Sequence, residues 1–319
     1  IALLISLIYY KPVTPKSAPV FDLGGAFLLV TGLIMFLMGI QLLSLTATWI
    51  VVGLILLSIV LLIFFFFHEA KTENPIIPLS IFRNHDLNGD FILFATTWGA
   101  FIAVNTYLPM WAQALLGMSA LMGGMTLIPN SIVEIIASQT VATIQEKIRT
   151  FTLVMIGIVT MMISSGGLFL ANNQTPLWML IVVGAFSGIG VGFIFVGLQV
   201  KVQIDAGMKD MATATSTSYL IRILAQTVMA AVYGVIMNLA LASGINSHSN
   251  ITMKMMNELS DAKSAKLLPQ YLLPEMRRIF HSGIHEIMAV SFILLIIATV
   301  FNFYFNFRQP NKKLNRSSK

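Results

Sequence analysis

Two ionisable residues, Glu134 and Arg222, lie deep inside long apolar stretches of the chain. Each is ten or eleven residues from the expected end of its helix, about 15 Å at 1.5 Å per residue. If these stretches cross a membrane, an ionised side chain there costs at least about 2.5–3.5 kcal/mol. A carboxyl at that depth avoids the cost by binding a proton or attracting a cation. We therefore predict that Glu134 is a proton or cation site.

Both residues belong to polar stripes with helical spacing. One stripe contains Thr126, Asn130, Glu134 and Ser138, and the other contains Thr215, Ser218, Arg222, Gln226 and Tyr233. Stripes of this kind face a bundle interior or a water-filled cavity rather than lipid. Trp98, Asn105 and Gln113, on the preceding helix, are further candidates to line such a cavity. The structural alternatives are interhelical hydrogen bonds for the amides, a protonated acid at a helix interface for Glu134, and bonds to carbonyl groups for Arg222.

The other polar residues indicate no metal or cofactor site. The chain has no cysteine, and its five histidines fall in predicted loops without metal-ligand spacing. Asp90, Asp205 and Asp210 fall at predicted helix ends, where we expect caps or solvated charges. We expect no cofactor.

The elements that position these residues are membrane-spanning helices. Hydrophobic residues make up 57% of the chain and charged residues only 10%, too few for the polar shell of a soluble domain. A span needs about 20 mostly apolar residues. Eight such runs occur, at 23–43, 48–67, 91–112, 120–143, 151–171, 177–200, 211–241 and 287–307. Residues 1–10 resemble the last turns of another span, so the sequence predicts an all-α membrane protein and a fragment.

The basic residues predict the orientation. The net charge of +6 could suggest nucleic acid, but in so apolar a chain it favours loops that face an anionic leaflet, and we expect no nucleic acid. Thirteen of the nineteen Lys and Arg residues share one side, and the short loops of the other side have none. This bias places the C-terminus in the cytoplasm. The long loop at 242–286 is then outside, with possible surface helices at 253–266 and 274–285.

Gly184, Gly188 and Gly192 form two consecutive GxxxG steps. This spacing lets helix backbones approach closely in lipid, and we expect it to serve packing. No strand precedes the glycines, so they do not indicate a nucleotide site.

Several of these stretches resemble a known family. The segment ENPIIPLSIFRN from Glu73, and the span that ends YLPMWAQALLGMSALMGGMTLIPNS, resemble the EmrB/QacA-type drug:proton antiporters. These form the fourteen-helix branch of the major facilitator superfamily. Asp22-Leu23-Gly24 before a span and Arg222 in the penultimate span are also similar to that branch. The chain departs from the family pattern at residues 143–149, which keep Glu146 and Lys147 without glycine, and after Arg222, where Ala225-Gln226 replaces Gly-Gly.

The resemblance implies the domain organisation. Residues 1–22 would hold the end of a preceding helix and a linker, 23–67 two extra central helices, and 68–90 a cytoplasmic loop. Residues 91–307 would be a six-helix C-terminal domain, formed by the inverted triplets 91–171 and 177–307, and 308–319 a basic tail. The partner would be an N-terminal six-helix domain absent from this chain.

The resemblance also implies a function, which is proton-coupled efflux of lipophilic or cationic drugs across a bacterial plasma membrane, in contact with its lipid. Export of another small molecule, such as a sugar, a peptide or a siderophore, stays open. An enzyme embedded in the membrane, such as a lipid-modifying transferase, is the alternative of another class. It would need clustered acids, histidines or a metal site at a membrane surface, which the sequence does not show.

Overall fold

The computed structural model describes residues 22–42, 48–72, 75–77, 79–145, 147–248, 250–260 and 262–307, and most of these are helical. Helices α1 and α2 (Leu23–Gln41 and Thr48–Glu69) precede a short 3-10 helix, Leu79–Arg83. The main bundle follows with α3 (His85–Ala114), α4 (Ala120–Met125), α5 (Leu127–Ile144), α6 (Thr150–Leu170) and α7 (Leu177–Asn246). The short α8 (Met253–Leu259) and α9 (Ala262–Ala265) lead to α10 (Leu273–Asn306). The stretch 1–21, Glu146 and the tail 308–319 lie outside the described residues.

Within the residues that the structure describes, seven segments are long and apolar enough to cross a membrane, which confirms the all-α membrane fold. One of them, the 70-residue α7, is interrupted at Gly207, where φ is 70° and ψ is 174°. A positive φ is strained for residues with a side chain but open to glycine. The N-terminal arm of α7 (177–206) and its C-terminal arm (208–246) carry the two runs predicted as separate spans.

The predicted ends of two spans are wrong. Helix α3 begins at His85 rather than at residue 91, because the side chain of Asn84 caps it by accepting a hydrogen bond of 3.0 Å from the N–H of Asp86. The predicted loop 242–286 shrinks to the segment between α7 and α10. Residues 274–285 are not a separate surface helix but the first turns of α10, where apolar side chains recur every three or four residues and are buried, among them Met276, Phe280 and Ile284. The histidines are also misplaced by the prediction, since His68, His85, His281 and His285 lie in helices.

The N-terminal arm of α7 is the central packing element, and its glycines explain how. A Cβ atom on Gly184 would lie 2.6 Å from Leu108 of α3, and one on Gly188 would lie 2.3 Å from the backbone oxygen of Asn130 in α5. One on Gly192 would meet the backbone oxygen of Glu134 at 2.7 Å. The predicted packing role of these glycines is confirmed, and it fixes α5 against α7.

Hydrogen bonds between buried side chains join other helices of the bundle. The hydroxyl of Ser291 in α10 lies 3.0 Å from that of Ser165 in α6 and donates to the backbone oxygen of Ala100 in α3 at 3.0 Å. Tyr233, in the C-terminal arm of α7, donates its hydroxyl proton to the backbone oxygen of Gly99 at 2.9 Å. Within an apolar bundle these bonds fix which faces of α3, α6, α7 and α10 meet.

Helices α1 and α2 pair with each other as an antiparallel hairpin. Ser58 donates a hydrogen bond of 2.8 Å to the backbone oxygen of Gly32, where the two backbones approach closely. Asp22 caps α1, accepting from the N–H of Gly25 at 2.9 Å, and its carboxylate also lies 2.9 Å from the ring of His68 in α2. The expected placement of Asp22 at a helix N-terminus is confirmed.

Candidate substrate and proton site

Arg222 is enclosed by four aromatic rings. Its guanidinium carbon lies 4.8 Å from the ring centre of Phe94 and 5.2 Å from that of Trp98, both in α3. Phe195 and Tyr219, from the two arms of α7, are 4.7 and 5.0 Å away. The faces of aromatic rings carry negative electrostatic potential and attract a cation. We call these four rings and Arg222 the arginine cage.

The side chain of Gln199 makes a polar contact with the caged guanidinium. Gln199 accepts a hydrogen bond of 3.3 Å from Arg222 and another of 3.3 Å from the hydroxyl of Ser218. The Nε of Arg222 is buried and has no hydrogen-bond partner, and Arg222 forms no ion pair with any residue that the structure describes. The cage therefore stabilises a positive charge without a carboxylate.

Glu134 lies in α5, ten residues before the helix ends at Ile144. It is partly buried, and within the described ranges its carboxyl forms neither an ion pair nor a hydrogen bond. Asn130, one turn earlier, is buried, and its side-chain oxygen has no partner. The stripe predicted on this helix thus faces the N-terminal arm of α7, with a carboxyl that is free to bind a proton or a cation.

A single stripe of the N-terminal arm of α7 connects the two predicted charges. Gly188 and Gly192 contact α5 beside Asn130 and Glu134, and Phe195 and Gln199 contact Arg222. These four positions are spaced by four, three and four residues, so they share one helix face. From Gly192 to Phe195 the rise is about 4.5 Å, so Glu134 and Arg222 lie at similar heights along this arm.

Of the other residues predicted for the site, the fold brings Trp98 to Arg222 but not Asn105, Gln226 or Gln113. Trp98 belongs to the cage, whereas Asn105 lies two turns further along α3 and is partly buried. Gln226 lies one turn after Arg222 and is also partly buried. Gln113 donates to the backbone oxygen of Pro109 at 3.3 Å and packs against Gly123, so it belongs to the turn between α3 and α4.

The assignment of Asp90 and Asp205 to caps or solvated ends is wrong. The ammonium of Lys201 in α7 lies 2.8 Å from a carboxylate oxygen of Asp90 in α3 and 2.6 Å from one of Asp205. All three side chains are at most 8% exposed. Asn84 also donates to the backbone oxygen of Asp205 at 3.0 Å. We call Asp90, Lys201 and Asp205 the acid–lysine cluster.

The sequence contains a signal for the pair of Lys201 and Asp205, but none for the part that Asp90 takes in the cluster. Lys201 stands between two valines at the end of an apolar run, with Asp205 four residues later, the spacing of an ion pair within a helix. Asp90 is more than a hundred residues away, so its part in the cluster depends on the crossing of α3 and α7. The cage residues Phe94 and Phe195 are likewise ordinary apolar positions until the fold brings them to Arg222.

Comparison with known proteins agrees with this architecture. The chain is 26% identical over 310 residues to "Multidrug resistance protein 3" of Bacillus subtilis (strain 168), covering 92% of this chain and 60% of that protein. It is 27% identical over 234 residues to "Efflux pump dotC" of Dothistroma septosporum, covering 70% of this chain and 40% of that pump. The chain thus spans between 40% and 60% of the length of these two curated relatives.

Among solved structures, a bacterial homologue of the human lysosomal transporter Spinster, in an inward-facing and unoccupied conformation, matches with a TM-score of 0.55. The match covers 89% of this chain and 66% of that one at 15% identity, which establishes the fold alone. The family model described as Major Facilitator Superfamily matches residues 20–230, well over half of the chain. The chain therefore belongs to the Major Facilitator Superfamily of membrane transporters.

Proposed function

We propose that this bundle is part of a secondary transporter of the EmrB/QacA type, which exports lipophilic or cationic drugs from a bacterial cell in exchange for protons. The observation that carries the proposal is Glu134, a partly buried carboxyl without an ion-pair partner within the described ranges, beside the α7 stripe that leads to the arginine cage. The similarity to a multidrug resistance protein of Bacillus subtilis and to an efflux pump of Dothistroma septosporum supports drug efflux.

Glu134 suits an exchange of protons for cations. Glu134 is partly buried, its backbone oxygen lies beside Gly192, and no cation of the described residues neutralises its carboxyl. It therefore reduces its desolvation cost either by binding a proton or by pairing with a positively charged substrate. These two states exclude each other at a single carboxyl, which couples the two ligands.

Arg222 has a separate role in this proposal. It pairs with neither Glu134 nor any other carboxylate of the described residues, and its ring contacts join α3 to both arms of α7. We assign it to the architecture of the transport unit, which this bundle forms with a second six-helix domain. The substrate would then pass between the two domains, with the C-terminus of this chain in the cytoplasm. Labelling a cysteine introduced at the exposed Ser247 from outside intact cells tests that orientation.

The test compares Glu134→Gln with wild type in the full-length transporter. We expect export of a monovalent cationic dye to fall by about tenfold, which corresponds to the loss of about 1.4 kcal/mol of charge interaction. Export of a neutral lipophilic drug should fall less, and the protein level should not change. Glu286→Gln, which removes an exposed carboxyl from α10, serves as the control.

If Glu134→Gln leaves proton-driven export of cations unchanged, the carboxyl is structural and this proposal fails. The same assay, run with a sugar, a short peptide and a siderophore, tests the alternative that the protein exports another small molecule. Transport of one of those substrates with no response to drugs would favour that alternative.

A further inference from the structure

The acid–lysine cluster lies one turn from the arginine cage but belongs to a different site. Asp90 precedes Phe94 by four residues on α3, so the two share a helix face. Lys201 and Asp205 occupy the end of the N-terminal arm of α7, just before the break at Gly207. The cluster therefore joins the beginning of α3 to the point where α7 changes direction.

Asp90 shares its ammonium partner with a second carboxylate. Lys201 lies within 2.8 Å of an oxygen of Asp90 and within 2.6 Å of one of Asp205. One oxygen of Asp90, Oδ2, is buried and has no hydrogen-bond partner, although the side chain is 0% exposed. A buried acceptor without a donor is costly, and more so when it carries charge. A proton on this oxygen would remove the buried negative charge of Asp90.

The surroundings of Asp90 offer few other ways to neutralise it. Among the described residues, the charged groups that act on it are Lys201, Asp205 and Asp86, and of these only Lys201 is positive. On the α10 side, the Phe305 ring packs against Gly89. In the 3-10 helix, Arg83 is exposed to solvent, as are Lys209 and Asp210 at the start of the C-terminal arm of α7.

The two ion pairs of Lys201 differ in what they connect. The pair with Asp205 lies within one helix, four residues apart, whereas the pair with Asp90 joins α7 to α3. When Asp90 is neutral, Lys201 keeps the partner on its own helix, so the link between the helices is the one that is lost. The hydrogen bond from Asn84 to the backbone oxygen of Asp205 does not involve this proton and would be a remaining polar link between the two ends.

We propose that Asp90 is a proton-binding site, and that protonation of its carboxylate releases the ion pair that holds the start of α3 to α7 beside Gly207. The proton comes from the aqueous phase on that side of the membrane and returns to it when the pair forms again. This site is additional to Glu134, and the proposal holds whatever the transported substrate is.

Two measurements on the purified protein in lipid nanodiscs test the proposal without any transport assay. The first is the infrared difference spectrum between about pH 8 and about pH 5, a range in which ordinary Asp and Glu side chains stay mostly ionised. We expect a protonated-carboxyl band to appear on acidification in wild type and in the control Asp210→Asn. In Asp90→Asn the part of this band that belongs to Asp90 should be missing. The variant should fold, because Lys201 and Asp205 still form a neutral pair.

The second measurement is the distance between spin labels at two exposed positions, Arg83→Cys and Met208→Cys, in a chain that has no native cysteine. We expect the distance distribution to change on acidification in wild type and in Asp210→Asn. Asp90→Asn should show the acidic distribution at both pH values, because asparagine resembles the neutral acid.

Three results would overturn the proposal. One is a wild-type protein in which neither the spectrum nor the distances respond to pH, since the cluster would then be a permanent ion-pair network. Another is an Asp90→Asn variant that retains both responses, since another group would then be titrating. The third is a sodium salt that at about pH 8 reproduces the acidic state, while a choline salt does not, since the site would then bind a metal cation.

Discussion

Two buried cations lie between α3 and α7, and the protein neutralises them in different ways. Arg222 is surrounded by aromatic faces and one amide oxygen, whereas Lys201 is held by two carboxylates. Aromatic rings are apolar when the cation is absent, whereas a carboxylate then stays charged or has to take up a proton. The two sites should therefore respond very differently when the cation is removed, although each places one positive group in the bundle.

The largest effect is expected for Lys201→Met, which keeps most of the side-chain volume but leaves two buried carboxylates facing each other. Removing one partner of a buried ion pair costs about 3–5 kcal/mol. We expect a loss of folding free energy of that order, measured by thermal or denaturant unfolding of the purified protein. Lys209→Met, at an exposed position of the same helix, is the control and should change stability by less than about 0.5 kcal/mol.

A double variant shows whether the stability lost in Lys201→Met comes from unpaired charge or from lost packing. Asp90→Asn combined with Lys201→Met leaves one carboxylate rather than two, so it should recover part of the lost stability. If the double variant is no more stable than Lys201→Met alone, the cost comes from lost packing, and the contrast with the arginine cage is incorrect.

The arginine cage should tolerate the same type of change much better. In Arg222→Met an apolar side chain of similar length takes the place of the guanidinium among four rings and leaves no bare charge behind. We expect a loss of stability of about 1 kcal/mol, from the cation–π contacts and the hydrogen bond to Gln199. Arg222→Ala should cost more, about 2–3 kcal/mol, because it also opens a cavity.

Transport assays add a second readout for the cage. If Arg222 is architectural, export should decrease by the same factor for cationic and neutral substrates in Arg222→Ala. A selective loss for one class of substrate would show that Arg222 faces the substrate, contrary to its assigned role.

The sequence predicted the central charge of the arginine cage but not the acid–lysine cluster, and the reason is physical. Arg222 and Glu134 were found because a charge inside an apolar run is costly wherever the helix packs, and the glycine steps predicted a close approach of helix backbones without naming the partner helix. The acid–lysine cluster was missed because Asp90, Lys201 and Asp205 lie near the ends of apolar runs, where a charge is ordinarily solvated. Only the early start of α3, at His85, and the continuation of α7 to Gly207 place these three residues inside the bundle.

The ends of the helices were also the least predictable part of the fold. Hydropathy detects the apolar centre of a span but not an amphipathic extension beyond it, such as the first turns of α10, where Met276, Phe280 and Ile284 are buried. The domain organisation inferred from the family resemblance stays a prediction.

The smallest effect is expected at a third pair, Asp22 and His68, at the end of the α1–α2 hairpin. Hydrogen bonds from the N–H of Gly25 and from His68 hold the pKa of the Asp22 carboxyl below its ordinary value. This stabilisation is therefore fully present above the pKa of the unfolded carboxyl, near 3.9, and is lost as the pH falls through the lower pKa of the folded state.

Asp22→Ala should lower the melting temperature slightly at neutral pH, and the difference from wild type should shrink under strongly acidic conditions. Asp22→Asn, which keeps a capping side chain, should lose less, and high salt should reduce only the ionic part of the effect. A difference that stays constant from neutral to strongly acidic pH would mean that the charge of the Asp22 carboxylate contributes nothing to stability here.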